Sequence, residues 1–285
     1  MSFKKVICPI CGGENTAAWS EETGFFRCNL CGAEGYIETP TEGKKESKEE
    51  WLQKQPWFKL QSKRRLEIPV EPIEDKDIVA WFNKRGISEE TLINRSVTSG
   101  MDWMQPNGHD RLVGEKCRTI HFNYYRDGEL VATKLRSFDK CFRWSVPGCD
   151  NIPYNLDSIK SVTGCYITEG EIDALSLHEV GLRAVISAVS IQEIINVFES
   201  HLKRMDFVFI CADNDQRGLE LAEKIKKYLT AKMGKIAMVE VISNYGTRPD
   251  GTPIKDANEC MVTLGPTVLY DKIVNFKSDN QNQDL

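Results

Sequence analysis

Long apolar runs are missing from this 285-residue chain. No window approaches the roughly 18 consecutive apolar residues that a membrane-spanning helix needs. The opening, Met1 to Pro9, turns polar by Gly12, too soon for the apolar core of a secretory signal. Excess positive charge is missing too. Thirty-seven Lys and Arg face 42 Asp and Glu, a net charge of −5, which argues against a protein that coats nucleic acid. A local basic groove stays open, because charge acts over about one Debye length, ~8–10 Å. No G-x-x-x-x-G-K-[ST] segment occurs, which excludes a P-loop motor within these residues. Hydrophobic residues at 41% and charged residues at 28% exclude a disordered, collagen-like or rod-like chain. The expectation is a cytoplasmic protein with no membrane partner and, at about 150 residues per domain, about two domains.

Ten cysteines without a secretory signal do not suggest a disulfide scaffold. Four form two C-x-x-C pairs, Cys8/Cys11 and Cys28/Cys31. Two intervening residues let a tight knuckle aim both sulfurs at one ion, and two knuckles complete a tetrahedral S₄ zinc site. The sixteen residues between the pairs suffice for a short β-hairpin. Such a zinc also replaces the core that so short a segment lacks. A thioredoxin-like redox pair needs one C-x-x-C at a helix start after a strand, and neither pair has that setting. Cys165 and Cys211 sit in apolar runs and read as small core hydrophobes.

Residues 1–38 therefore read as a zinc ribbon, and 39–66, Pro/Gly/Lys/Glu-rich at first, as a flexible linker. Two short helices broken at Arg85-Gly86 are expected over 74–95, with Ser88 near a cap. Strands over 119–125 and 130–135 flank Arg126-Asp127-Gly128, a hairpin signal, and 142–146 adds another. Between Arg111 and Arg143 stand eight Lys/Arg and four Asp/Glu. Lys134, Arg136, Lys140 and Arg143 interleave there with Phe138, Phe142 and Trp144. Basic and aromatic residues together suit single-stranded nucleic acid and nucleotide phosphates, and equally a solvated sheet face.

From residue 161 the pattern alternates: strands over 165–168, 184–189, 207–212 and 236–242, helices over 172–180, 191–202 and 217–229. That predicts a mostly parallel sheet, with ligands at the carboxyl ends of its strands. Those ends are acidic. The first runs into Glu169-Gly170-Glu171-Ile172-Asp173, the third into Asp213-Asn214-Asp215, and Lys255-Asp256-Ala257-Asn258-Glu259 follows the fourth. Crowded carboxylates repel, and a hard divalent cation with oxygen ligands relieves them. Metal-assisted phosphoryl or nucleotidyl transfer is the expected chemistry.

These residues resemble the TOPRIM domain of bacterial-type primases, topoisomerases and some nucleases. More closely, they resemble the primase half of phage primase–helicases, relatives of Twinkle in the DnaG-like superfamily. The likeness runs through the four cysteines, Arg85 to Thr91, Tyr125 to Gly128, Ala132 to Ser137, Ile167 to Leu175, Asp213 to Gly218 and Lys255 to Cys260. It implies an α/β chain, α+β overall. Its expected parts are the zinc ribbon, the linker, a basic subdomain over 67–160, a TOPRIM domain over 161–275 and a polar tail over 276–285.

The resemblance implies an enzyme, a DNA primase making short RNA primers on single-stranded DNA from ribonucleoside triphosphates. Glu169, Asp213 and Asp215 would hold catalytic Mg²⁺ or Mn²⁺, with Asp256 nearby and Glu171 and Asp173 in the same acidic motif. Lys134, Arg136 and Lys140 would bind nucleotide and template, as would Arg143 on its place in the basic run. Cys8, Cys11, Cys28 and Cys31 would hold one structural zinc in a ribbon that reads template sequence. A replicative helicase is the implied partner, separate or fused in a longer protein, with the separate arrangement expected. Ser187-Ala188-Val189-Ser190 stands where relatives carry a glycine-bearing loop. The rival readings are a non-catalytic DNA-binding module of the RecR or inactive-primase kind and a TOPRIM nuclease.

Overall fold

Apolar runs with turn residues between them become strands and helices where the sequence places them, with a few shifts. A computed structural model describes residues 3–6, 17–21, 25–28, 34–36, 75–104, 115–138, 140, 142–144, 151–233 and 238–276. The chain divides into two units, Met1–Pro69 with Trp144–Asp150, and Val70–Arg143 with Asn151–Leu285.

The smaller unit holds a four-stranded sheet, β1 (Phe3–Val6), β2 (Ala17–Ser20), β3 (Phe25–Cys28) and β4 (Glu34–Tyr36), in that spatial order. Each neighbouring pair is antiparallel. The hairpin expected between the cysteine pairs is β2–β3, with Ala17 opposite Cys28 and Trp19 opposite Phe26. Ala17, Trp19 and Phe26 are buried. Cys8, Cys11 and Cys31, the Cys28 side chain and the linker lie outside the described residues.

The larger unit opens with helix α1 (Lys76–Asn83), capped by the Asp75 carboxylate, and α2 (Glu89–Asn94), capped by Ser88. The expected break holds at Gly86, whose φ of 72° favours glycine. A side chain there would also press on Met261. A second sheet follows: β5 (Val97–Met104), β6 (Glu115–Arg126), β7 (Glu129–Ser137) and β8 (Phe142–Trp144), in that order. Asp127 and Gly128, both at positive φ, make the two-residue turn between β6 and β7. The Asp157 carboxylate accepts both of their N–H groups, at 2.8 and 2.7 Å.

The third sheet is parallel, in the order β10 (Val185–Ser187), β9 (Gly164–Thr168), β11 (Phe207–Cys211), β12 (Met238–Ile242). Its crossovers carry α3 (Glu171–Glu179), α4 (Ile191–Val197) and α5 (Gln216–Met233). Helix α4 is shorter than expected: the chain leaves it at Phe198 and reaches a 3₁₀ turn at Leu202–Arg204. Phe198 and Leu202 are both buried, so the apolar spacing that suggests one long helix serves two shorter elements. Helices α6 (Ala257–Leu264) and α7 (Pro266–Val274) close the unit. Cys165, Ile167, Val208, Ile210 and Cys211 are buried in the sheet, the two cysteines as apolar fillers with burial raising their thiol pKa values. Among the described residues no helix is long and apolar enough to cross a membrane.

Candidate active site

Strand order fixes where ligands meet this sheet. The chain leaves β9 toward β10 on one side, while β11 lies on the other, so a crevice opens at the carboxyl ends of β9 and β11. Thr168 is the register partner of Cys211. The segments carrying Glu169 and Asp213 therefore emerge side by side.

Local chemistry holds each acidic group in place. Thr168 Oγ1 donates to the Gly170 carbonyl at 3.0 Å and pins the turn after β9. Gly170 then caps α3, and a Cβ there would fall 2.9 Å from an Asp173 carboxylate oxygen. Asp215 accepts the Gly218 N–H at 2.9 Å at the start of α5. Gly218 is itself required, since a Cβ would lie 2.5 Å from the Asp213 carbonyl. Asp256 caps α6, accepting the Glu259 N–H at 2.8 Å. Asp173 accepts the Asn258 N–H at 3.0 Å, tying α3 to α6.

A lysine that sequence reasoning did not place in the site joins these carboxylates. Lys255 Nζ lies 3.2 Å from Asp213 Oδ2 and 3.1 Å from Asp215 Oδ2. Arg217 Nε lies 3.7 Å from Glu169 Oε1. Burial, and then the Asp213 charge, raise the Glu169 pKa, with Arg217 opposing. Burial also raises Asp213, against its hydrogen bond from Lys255. Asp173 is pushed well up by burial and by the Asp256 and Asp213 charges. Asp215 is held below its ordinary value by the Gly218 N–H and Lys255. Three carboxyls, Glu169, Asp173 and Asp213, resist ionisation, first because they are buried and then because neighbouring carboxylates crowd them, a pattern that suits a cation site. Among the described residues, no three His, Cys, Asp or Glu side chains already converge as a metal cage.

The other predicted residues divide differently. Glu171 points away from this cluster: its carboxylate accepts the Tyr124 hydroxyl at 2.6 Å and the Lys134 ammonium at 2.7 Å, all three side chains lying largely out of solvent. Lys134 is thus engaged in an ion pair. Arg136 is 4% exposed, and its Nη1 has no hydrogen-bond partner among the described residues. Its guanidinium sits over Trp81 at 4.7 Å and Phe142 at 5.6 Å. Arg85 covers the same Trp81 ring at 3.4 Å. Burial, then the neighbouring Arg85 charge, lower the Arg136 pKa to about 10. Lys140 is exposed, and the Arg143 side chain lies outside the described residues. Trp81 and Glu193 were not anticipated. Glu193 carries only the weak signal of a Glu three residues after Ser190, a capping pattern.

Comparison with known proteins follows this geometry. Residues 166–261 match the Toprim-like family. A Twinkle homolog protein, chloroplastic/mitochondrial, of Arabidopsis thaliana is 28% identical over 94% of the chain, which spans 38% of that relative's length. A primase homolog protein of the same plant is 30% identical over 86% of the chain and 70% of its own length. Among solved structures, the primase fragment of the bacteriophage T7 primase-helicase protein aligns with 95% of this chain and 100% of its own. It does so with a TM-score of 0.54 at 17% identity. The Aquifex aeolicus primase (zinc-binding and RNA polymerase domains) aligns with 96% of this chain and 80% of its own. Its TM-score is 0.55 at 14% identity. The two structures show a shared fold.

Proposed function

The chain belongs to the phage-type, DnaG-like primase family, and on that premise we propose that it is a DNA primase. In this reading it joins ribonucleotides into short RNA on a single-stranded DNA template. One observation carries the reading: the β9–β11 register sets Glu169 beside Asp213-x-Asp215 at one sheet edge, within an envelope of crowded negative charge.

The donor set suits a hard divalent cation. It is all oxygen, and the arriving charge would offset the burial, and then the neighbouring carboxylate charge, that raise Glu169 and Asp213. Glu169, Asp213 and Asp215 would hold Mg²⁺ or Mn²⁺, with Asp256 as their neighbour. Such an ion, when bound, lowers the pKa of a primer 3′-hydroxyl and neutralises charge on the phosphoryl oxygens. The chain's own residues do the rest. Glu169, its pKa raised by burial and then by the Asp213 charge, accepts a proton at its carboxylate or ligates through it. Asp173, fixed by the Asn258 N–H, braces the α3–α6 junction behind the site. Exposed Lys140 would draw the triphosphate and template backbone to the basic sheet, and Arg136, buried against Trp81 and Phe142, would add its charge to that sheet. Lys134 serves that sheet through Glu171, as a positioning residue. The four cysteines would hold one structural zinc, and the ribbon would read template sequence. A helicase, fused or separate, supplies the single strand.

Incorporation of labelled ribonucleotide on mixed-sequence single-stranded DNA, with Mg²⁺ or Mn²⁺, tests the proposal. Wild type should make short products. Glu169→Gln should lower synthesis by at least about a hundredfold with an unchanged melting curve. Full activity in that variant would remove Glu169 from the site. Absence of wild-type product across metals and templates, with DNA binding intact, would assign a non-catalytic priming module instead. Shortening of a labelled strand would assign a nuclease.

A further inference from the structure

The cations at the carboxylate edge differ from the carboxylates in how they are held. Asp215 is fixed by capping and Asp213 by close packing against α5, and Glu169 is 18% exposed at its pinned turn. Lys255 and Arg217 reach them on long stems that are 49% and 80% exposed. The Lys255 backbone is rigid: its carbonyl accepts the Asn214 N–H at 2.5 Å, and its N–H donates to Glu259 at 2.8 Å. A fixed anchor, a free stem and an ammonium bridging two carboxylates describe a replaceable counter-charge. Its +1 is shared by Asp213 and Asp215, and it also acts on Glu169.

We infer that Lys255 is the resident counter-cation of the Glu169–Asp213–Asp215 cluster and must leave its carboxylates when a divalent ion enters. The inference rests on the metal-site reading above and adds an exchange to it. Lys255 keeps the cluster folded without metal and competes with metal for the same oxygens. The cluster is then a site of deliberately weakened affinity, since every ion that binds displaces an ammonium at ~3 Å. Lys255 acts on the ion through the carboxylates, and so it is a positioning residue for them.

Mn²⁺ binding to the full chain, read by electron paramagnetic resonance of the free ion, tests this. Lys255→Met and Lys255→Gln should bind Mn²⁺ roughly tenfold more tightly than wild type, because no ammonium competes with the ion for the Asp213 and Asp215 oxygens. Lys255→Arg, which keeps the charge, should stay within about threefold of wild type. Lys203→Met controls for net charge, since Lys203 pairs with Glu199 on an exposed helix end elsewhere. In EDTA, Lys255→Met should melt below wild type, and saturating Mn²⁺ should close the gap. Unchanged or weaker binding in both neutral variants, with binding abolished by Asp213→Asn, overturns the exchange and leaves the metal site standing. Failure of wild type and every variant to bind Mn²⁺ overturns both.

Discussion

Glu193 is the titratable side chain with the clearest thermodynamic consequence. It is buried at the start of α4, where its carboxylate accepts the Val189 N–H at 3.0 Å. Burial raises its pKa from 4.5 to about 7, against that hydrogen bond and the Lys134 charge. The folded chain therefore binds this proton more tightly than the unfolded chain. Stability from Glu193 is full below pH 4.5 and is lost as pH rises toward 7. His178 has the opposite slope. Burial lowers its pKa from 6.5 to about 3, so the folded chain keeps it neutral and stability falls as pH drops below 6.5. Between 4.5 and 6.5 the two effects oppose each other. Glu193→Gln should remove one of them, so that between pH 5 and 6.5 the stability of the variant rises more steeply, or falls less, than that of wild type. At pH 8 the variant should be more stable by on the order of 1–3 kcal/mol. Urea melts at half-unit pH intervals read this directly, and an unchanged pH profile would mean that Glu193 stays ionised in the fold.

At the scale of elements, the ion pair between β7 and α3 separates structure from binding. Lys134 and Glu171 are 14% and 6% exposed, and Tyr124 shares the same oxygen. Removing one partner of a buried pair leaves an uncompensated charge, at a cost of about 3–5 kcal/mol. Lys134→Met should melt correspondingly lower, and Lys134→Met with Glu171→Gln should recover most of the loss. If Lys134→Met instead weakens nucleotide binding without touching stability, Lys134 is a ligand group as its sequence context suggests. That context is also where reading from sequence ran out. Strands β9 and β11 were legible because strands buried on both faces are continuous apolar runs, and their acidic ends follow from strand order. Strand β5, with Ser99, Gly100 and Asp102, has no such run. It pairs with β6 through a close approach in which a Cβ on Gly100 would meet the His121 ring. Helices α6 and α7 sit behind a motif read only for its chemistry. The Lys134–Glu171 pair spans 37 residues, and Lys255 reaches carboxylates 40 or more positions earlier, so no local pattern announces either contact.

At the scale of the whole molecule, two units with separate chain segments imply two separable stabilities. The smaller has β1–β4, short strands in which Ala17, Trp19 and Phe26 are buried among the described residues. A ribbon as short as residues 1–38 falls short of the entropy of ordering its chain, and metal binding of ~10–16 kcal/mol would supply the difference. The larger unit has two four-stranded sheets and helices of its own, with a core separate from the cysteine pairs. Cys28→Ser should therefore lose the single equivalent of zinc that elemental analysis is expected to find in wild type. It should also lose template-directed synthesis. Its main melting transition should stay within about 1 °C of wild type, and its Mn²⁺ affinity should be unchanged, because Glu169, Asp213 and Asp215 all belong to the other unit. A variant that loses zinc, Mn²⁺ binding and the main transition together would show one cooperative whole. In that case the ribbon's metal would be part of what holds the carboxylate edge in place.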